Sequence, residues 1–351
     1  MDTTRLIELK RQIRRWGAEL GFAAVAIAPL EVSVASARLA RWLSAERHGE
    51  MAYMARHAAL RADPRRLLPG ALSVIVGRMD YLAAPAPVEA PSEPSAQAVI
   101  SRYARGRDYH KVLRRQLRRL AQRIGADIGV FNYRLATDSA PLLEVELARR
   151  AGLGWRGKHT LLLSRDAGSY FFLGEILTDL PLPPDEPVEE HCGTCTRCID
   201  ACPTGAIVAP YELDARRCVS YLTIEHQGSI PEPLRASIGN RIYGCDDCQR
   251  VCPWNEFARL TEMPDFAVRN GLDQAQLVDL FSTSEEEFHS RFAGSAIHRI
   301  GYPRWLRNLA VGLGNAPSSA AVLAALRARA AHPEPLVREH VLWALRRHNA
   351  A

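Results

Sequence analysis

The stretch Cys192-Gly-Thr-Cys195-Thr-Arg-Cys198-Ile-Asp-Ala-Cys202-Pro203 sets the reading of this 351-residue chain. Cysteines at C-x-x-C-x-x-C intervals, with a fourth before a proline, have the spacing in which three thiolates bind one 4Fe-4S cluster and the fourth ligates another. Downstream, Cys245-Asp-Asp-Cys248-Gln-Arg-Val-Cys252-Pro253 repeats the latter part of the run, and Cys218 lies between as the ligand that this second half lacks. The symmetry predicts crossed sets: Cys192, Cys195, Cys198 and Cys252 on one cluster, and Cys202, Cys218, Cys245 and Cys248 on the other. Two zinc sites would also consume eight thiolates. Zinc, however, is normally held by two separated C-x-x-C knuckles, not by a triple run closed by Cys-Pro. All eight cysteines fall in this one region, which reads as metal binding in a reducing compartment and not as a secreted disulfide framework.

Around that region the chain divides into three. Pro181, Pro183, Pro184 and Pro187 mark a linker into the cysteine module. Upstream, Phe22 to Ala28, Leu72 to Gly77, Asp127 to Tyr133, His159 to Ser164 and Ser169 to Leu177 read as strands. Helical material lies at Arg38 to Ala58 and Tyr109 to Ile124. Residues 1–180 are therefore expected to form a mixed α/β domain, with a proline-rich loop at Ala83 to Ser95. The cysteine domain is expected over 181–260. Over 261–351, Pro303 to Leu313, Ser318 to Ala331 and Pro335 to His348 read as amphipathic helices of HEAT-like type. The expected class is thus α+β and multidomain.

With 47% hydrophobic and 24% charged residues and no apolar run near the roughly 20 residues of a bilayer span, a membrane-spanning protein is excluded. Arg14-Arg15 followed by Leu20 to Val34 outlines a twin-arginine signal. Yet Leu6, Leu9, Ile13, Trp16 and Leu20 continue at helical spacing straight through the pair, so a cytoplasmic, monomeric protein opening on an amphipathic helix is expected. The net charge of +6 falls to about +2 once two clusters with their thiolates are counted, so any basic character is local. It concentrates between Ser101 and Arg123, where nine Lys or Arg face one Asp. No G-x-G-x-x-G or Walker loop supplies a nucleotide site, although a two-cluster electron wire needs something at its inner end.

Arg61-Ala-Asp-Pro-Arg-Arg-Leu-Leu-Pro-Gly70, Gly106-Arg-Asp-Tyr-His110, Asp138-Ser-Ala-Pro141 and Ala151-Gly-Leu-Gly-Trp-Arg-Gly-Lys158, with the cysteine arrangement, resemble the epoxyqueuosine reductases over nearly the whole chain. The resemblance implies a cobalamin-binding α/β domain, a ferredoxin-like domain with two 4Fe-4S clusters and a HEAT-like C-terminal part. It implies reduction of the epoxide of epoxyqueuosine to the alkene of queuosine at the wobble base of tRNA, the last step of queuosine formation, with electrons from an external donor.

It further implies cofactor contacts at Arg61, Ser101, Asp138, Leu162, Leu173, Ser220, Cys245 and Asp246. Asp138 is the expected proton donor, its carboxyl raised by burial; Asp138-Ser-Ala-Pro141 is equally good helix-start chemistry, so a capping role stands beside it. Asp108-Tyr109-His110 begins like a cobalt-binding D-x-H-x-x-G motif, but Leu113 stands at the glycine position, so His110 is read as a supporting residue. His159 occupies a place where the family commonly has Asn. For the anticodon arm, the candidates are Arg105, Arg107, Arg299, Arg304, Arg307 and Asn308. The rival activities are a reductive dehalogenase, which combines the same cofactors, and a non-catalytic electron carrier fused to an RNA-binding scaffold.

Overall fold

The computed structural model describes residues 2–85 and 95–349; the expected proline-rich loop at Ala83 to Ser95 lies mostly outside the described residues. Four strands form the main sheet: β1 (Ala24–Ala28), β2 (Ser73–Asp80), β3 (Tyr133–Ala136) and β4 (Phe171–Thr178). Their order is β1-β2-β4-β3 and every pairing is antiparallel. In β4 the period of two sends alternate side chains to opposite faces. Phe172 and Ile176 enter a core with Leu9 and Ile13 of helix α1 (Thr3–Glu19) and Leu113 and Leu117 of α2 (Tyr109–Ile128). Phe171, Leu173 and Leu177 face the other way, toward Leu147 and Ala148 of the short helix α3 (Glu144–Arg150).

Local chemistry fixes the helix ends. Asp2 caps α1 by accepting the Arg5 N–H at 2.8 Å, and the arginine pair lies inside this helix, with Arg14 reaching Asp185 at 2.5 Å. Asp108 caps α2 through the His110 N–H. This helix runs to Ile128 and stops at Gly129, whose φ of 86° reverses the backbone. It thereby absorbs the start of the strand expected at Asp127, and β3 begins only at Tyr133. The strand expected at His159 to Ser164 is reduced to Leu162–Leu163, paired with Trp155–Arg156. Before it, Thr160 sits at φ 75° in a turn whose N–H bonds the Gly157 carbonyl at 2.9 Å. Gly154 in this hairpin is required: a Cβ there would lie 2.0 Å from the Leu163 carbonyl oxygen.

The cysteine region is built of short helices, among them Arg197–Asp200, Val219–Ile224 and Asp247–Arg250. Lys158 ties it to the α/β unit by donating to the Gly193 and Cys195 carbonyls at 2.7 and 2.9 Å. The C-terminal helices are α4 (Gly301–Asn315), α5 (Ala320–Ala328) and α6 (Pro335–Arg347). α4 packs closely on α6 at Gly314, where a Cβ would meet the Trp343 ring at 2.5 Å. One apolar core joins Ala98, Ile100, Ile242, Trp305 and Leu309, so a segment from before α2 is built into the C-terminal half. Val99–Ile100 pairs in parallel with Arg241–Tyr243 to hold it there. Among the described residues no helix is long and apolar enough to cross a membrane.

Candidate active site

Asp138 follows β3 at φ 38°, a left-handed conformation that a non-glycine residue adopts at a cost. Its Oδ2 accepts the Tyr109 hydroxyl and lies 3.0 Å from His110 Nε2. His110 Nδ1 is in turn 2.8 Å from Asp108 Oδ1, so both ring nitrogens face carboxylates. Tyr109 stacks on Phe172 with centroids 4.2 Å apart and on the His110 ring at 4.1 Å. The acid therefore rests on the first turn of α2, which the aromatic stack fixes against the sheet.

Burial opposes a charge on His110, but its bonds to Asp108 and Asp138 outweigh that and raise it to about 9. Burial alone would lift the Asp138 carboxyl; the bonds from His110 and Tyr109 overcome it and hold the group below its ordinary value. The direction is opposite to the expectation of a raised Asp138, because the hydrogen bonds from His110 and Tyr109 outweigh burial. Asp138 is not a helix cap either. α3 begins at Glu144, and Leu143, which precedes it, supplies no side-chain cap.

The cysteines gather in two neighbouring groups. Cys192, Cys195, Cys198 and Cys252 line one cavity of about 360 Å³ together with His191 and Trp254. Cys218 and Cys245 stand beside Cys248, and Cys218 feels Cys202. Cys198 also acts on Cys248 electrostatically, so the groups adjoin. Burial pushes the Cys198 and Cys252 thiols up to about 11, and sulfurs so placed ionise readily only against a metal. All eight are free of disulfides.

Of the residues implied for cobalamin, Arg61 is buried and donates to the Tyr53 carbonyl at 3.3 Å. Ser101 donates its hydroxyl to Asp246, which also accepts the Arg102 N–H at 2.8 Å. Leu162 and Leu173 belong to the apolar layer on the α3 side of the sheet. Leu173 sits on a central strand and is only partly buried. Ser220 and Cys245 are partly buried in the iron–sulfur region. Apolar side chains with a few polar groups are the composition that suits a large cofactor. His159 is buried, accepts the Leu161 N–H at 3.1 Å through Nδ1, and is pushed by burial down to about 4, hence neutral.

Two expected tRNA contacts must be corrected. Arg307 is 0% and Asn308 1% exposed. Arg307 donates to the His226, Gly228 and Leu222 carbonyls at 2.7–2.8 Å, and Asn308 to those of Thr223 and Ile242. Buried polar groups must be satisfied internally; these two bind the iron–sulfur region to α4 and reach no solvent. Arg304 is largely committed in the same way, to the Ile300 and Ile224 carbonyls. Arg105 is partly buried on the Ile100 carbonyl. Arg107 and Arg299 are exposed, paired with Asp265 and Glu225. On α2, Lys111, Arg114, Arg115, Arg118 and Arg119 all face solvent.

The sequence reading missed Tyr109 as a partner of Asp138, and it missed Glu144 and Glu175. Glu175, the one charged residue of β4, was the available signal.

Residues 191–255 match the family model "4Fe-4S double cluster binding domain", and residues 61–139 match "Epoxyqueuosine reductase QueG, DUF1730". The epoxyqueuosine reductase of Burkholderia pseudomallei is 57% identical over 99% of this chain and 94% of its own. That of Escherichia coli is 53% identical over 97% and 89%. A crystal structure of epoxyqueuosine reductase with an epoxyqueuosine-modified tRNA-Tyr stem loop superposes with a TM-score of 0.88 at 29% identity, covering 97% of this chain and 90% of that one. A Bacillus subtilis epoxyqueuosine reductase with its catalytic aspartate loop swung out of the active site gives 0.86 at 30% identity, over 97% and 91%. With identities above half along almost the full length of both chains, this chain belongs to the epoxyqueuosine reductase family.

Proposed function

We propose that this chain reduces the epoxide of epoxyqueuosine in tRNA to the alkene of queuosine, with Asp138 passing the proton to the departing oxygen. The observation that carries the residue assignment is the hydrogen-bonded chain Asp108–His110–Asp138, closed by Tyr109. Reduction of an epoxide to an alkene consumes two electrons and two protons and releases water. Bound cobalamin supplies the two-electron reductant, replenished one electron at a time through the 4Fe-4S clusters.

The protein side of the chemistry is proton delivery. His110 holds a proton at neutral pH, and Asp138 Oδ2 is its acceptor; the loop at positive φ presents the carboxyl to the substrate oxygen. The swinging of the corresponding loop in the Bacillus subtilis relative supports a mobile Asp138 loop here. Arg61, Ser101, Leu162, Leu173, Ser220, Cys245 and Asp246 would hold cobalamin. The two cysteine groups would each hold one cluster. Cobalamin domain 1–180, ferredoxin-like domain 181–260 and HEAT-like helices 261–351 remain the proposed division, with the Ser101 segment reaching into the last. The exposed arginines of α2, with Arg107 and Arg299, form the proposed tRNA surface, where phosphate contacts supply affinity. An external electron donor and a cytoplasmic, monomeric enzyme complete the reading.

The deciding experiment is anaerobic reconstitution with iron, sulfide and cobalamin, followed by single-turnover conversion of epoxyqueuosine tRNA. Conversion to queuosine is expected. Dehalogenation of a halogenated phenol without tRNA turnover would favour the rival activity.

A further inference from the structure

Behind Asp138 lie two carboxyls that the chemistry above does not use. Glu175 projects from the centre of β4, opposite Val76 on β2 and Ala136 on β3. It is 0% exposed, and among the described residues neither of its oxygens meets an N–H or O–H donor. Glu144 opens α3, and its buried Oε1 is likewise without a donor. The two carboxyls face each other, and the Asp138 backbone N–H faces Glu144. Two carboxylates in contact cannot both stay ionised in a buried site. One proton between them satisfies an oxygen on each, as in a carboxyl dyad.

The groups around the pair set its charge. Asp138, on the loop after β3, adds negative field to both glutamates. Arg61 and Tyr109 interact with Glu144, while Arg299 and His110 act on Asp138. Burial, reinforced for Glu144 by its partner and for both by Asp138, raises Glu144 well above the carboxylate range and Glu175 to about 8. At neutral pH the pair therefore keeps a proton that it would lose in water.

We propose that Glu144 and Glu175 share one proton and act through Asp138 as the reserve that recharges the acid after the epoxide oxygen takes its first proton. The stoichiometry calls for such a store. Opening the epoxide takes one proton to form the alcohol oxygen, and its departure as water takes a second, while two electrons arrive through the cofactors. His110 holds one proton and the dyad the other, so the site carries both before substrate binds. Glu144 and Glu175 are positioning residues in this scheme, since neither meets the substrate.

The inference rests on the epoxide-reduction reading, but its first test needs no substrate. Infrared spectra of the reconstituted holoenzyme should show a protonated-carboxyl C=O band at neutral pH that vanishes in both Glu175→Gln and Glu144→Gln. Wild-type turnover of epoxyqueuosine tRNA tests the reading itself, so the two can fail separately. In single turnover, Glu175→Gln should slow reduction at least about tenfold above neutral pH, with the basic limb displaced to lower pH. Cluster and cobalamin spectra and tRNA affinity should stay intact, and Glu175→Asp should restore part of the rate. Should Glu175→Gln fail to fold, Glu144→Gln carries the same measurements. A wild-type spectrum without the band, or folded Gln variants with the wild-type pH profile, would overturn the proposal.

Discussion

His110 Nε2 lies 3.0 Å from Asp138 Oδ2, and the imidazole is held on its other side by Asp108 at 2.8 Å. An imidazole between two carboxylates is a proton donor whose acceptor is fixed in place. Its aspartate partner belongs to a different element, the loop after β3, so the acid is completed only when that loop lies against α2.

Asp138→Asn removes the carboxylate that accepts and passes the proton while preserving shape. Single-turnover reduction of epoxyqueuosine tRNA by fully reduced enzyme should fall at least about a hundredfold, with clusters, cobalamin and tRNA binding unchanged. A near wild-type rate would remove Asp138 from the chemistry and leave the acid to be sought elsewhere.

The pH dependence has a definite sign. His110 titrates in the folded protein at about 9, above its ordinary 6.5. Its contribution to stability is therefore full below about 6.5 and is lost as pH rises through about 9. Turnover should fall over the same upper range, and His110→Gln should leave only the limb set by the Glu144–Glu175 pair. A nuclear magnetic resonance titration of the ring that placed His110 near 6.5 would contradict the assignment.

Cys202→Ser should damage the cluster proposed on Cys218, Cys245 and Cys248, leaving the one on Cys192, Cys195, Cys198 and Cys252. Electron paramagnetic resonance of the reduced variant distinguishes the two. Disappearance of the Cys192 cluster with the other retained would refute the crossed sets. About eight iron and eight sulfide per chain are expected; two zinc and no labile sulfide would end the iron–sulfur reading.

Arg307→Ala should act on folding and not on tRNA contact. It strands the carbonyls of Leu222, His226 and Gly228, at about 1–3 kcal/mol for each buried group left unpaired. Lower Tm and lower yield of soluble protein are expected. Arg114→Ala with Arg118→Ala, both exposed on α2, should instead keep the Tm and flatten the salt dependence of tRNA binding by about one to two units. Unchanged binding in that double variant would show α2 to be merely solvated.

The double-cluster cysteine region, the basic helix and the three C-terminal helices were legible in the sequence, because spacing and the 3.6-residue period are local properties. The Asp138 segment was legible by resemblance. Its protonation was not: burial and hydrogen bonding push that carboxyl in opposite directions, and only the approach of Tyr109 and His110 from α2 shows that hydrogen bonding wins. Likewise a sequence shows that Arg304, Arg307 and Asn308 begin a helix, but not that Arg307 and Asn308 point inward; carbonyls some eighty residues away turned them into internal fasteners. Glu144 and Glu175 stand 31 positions apart and meet only because α3 folds back over β4. Sequence by itself determined which chemical groups are present and their local periodicity. Tertiary structure decided which groups lose water and which neighbours they gain, and those two quantities set where the protons reside.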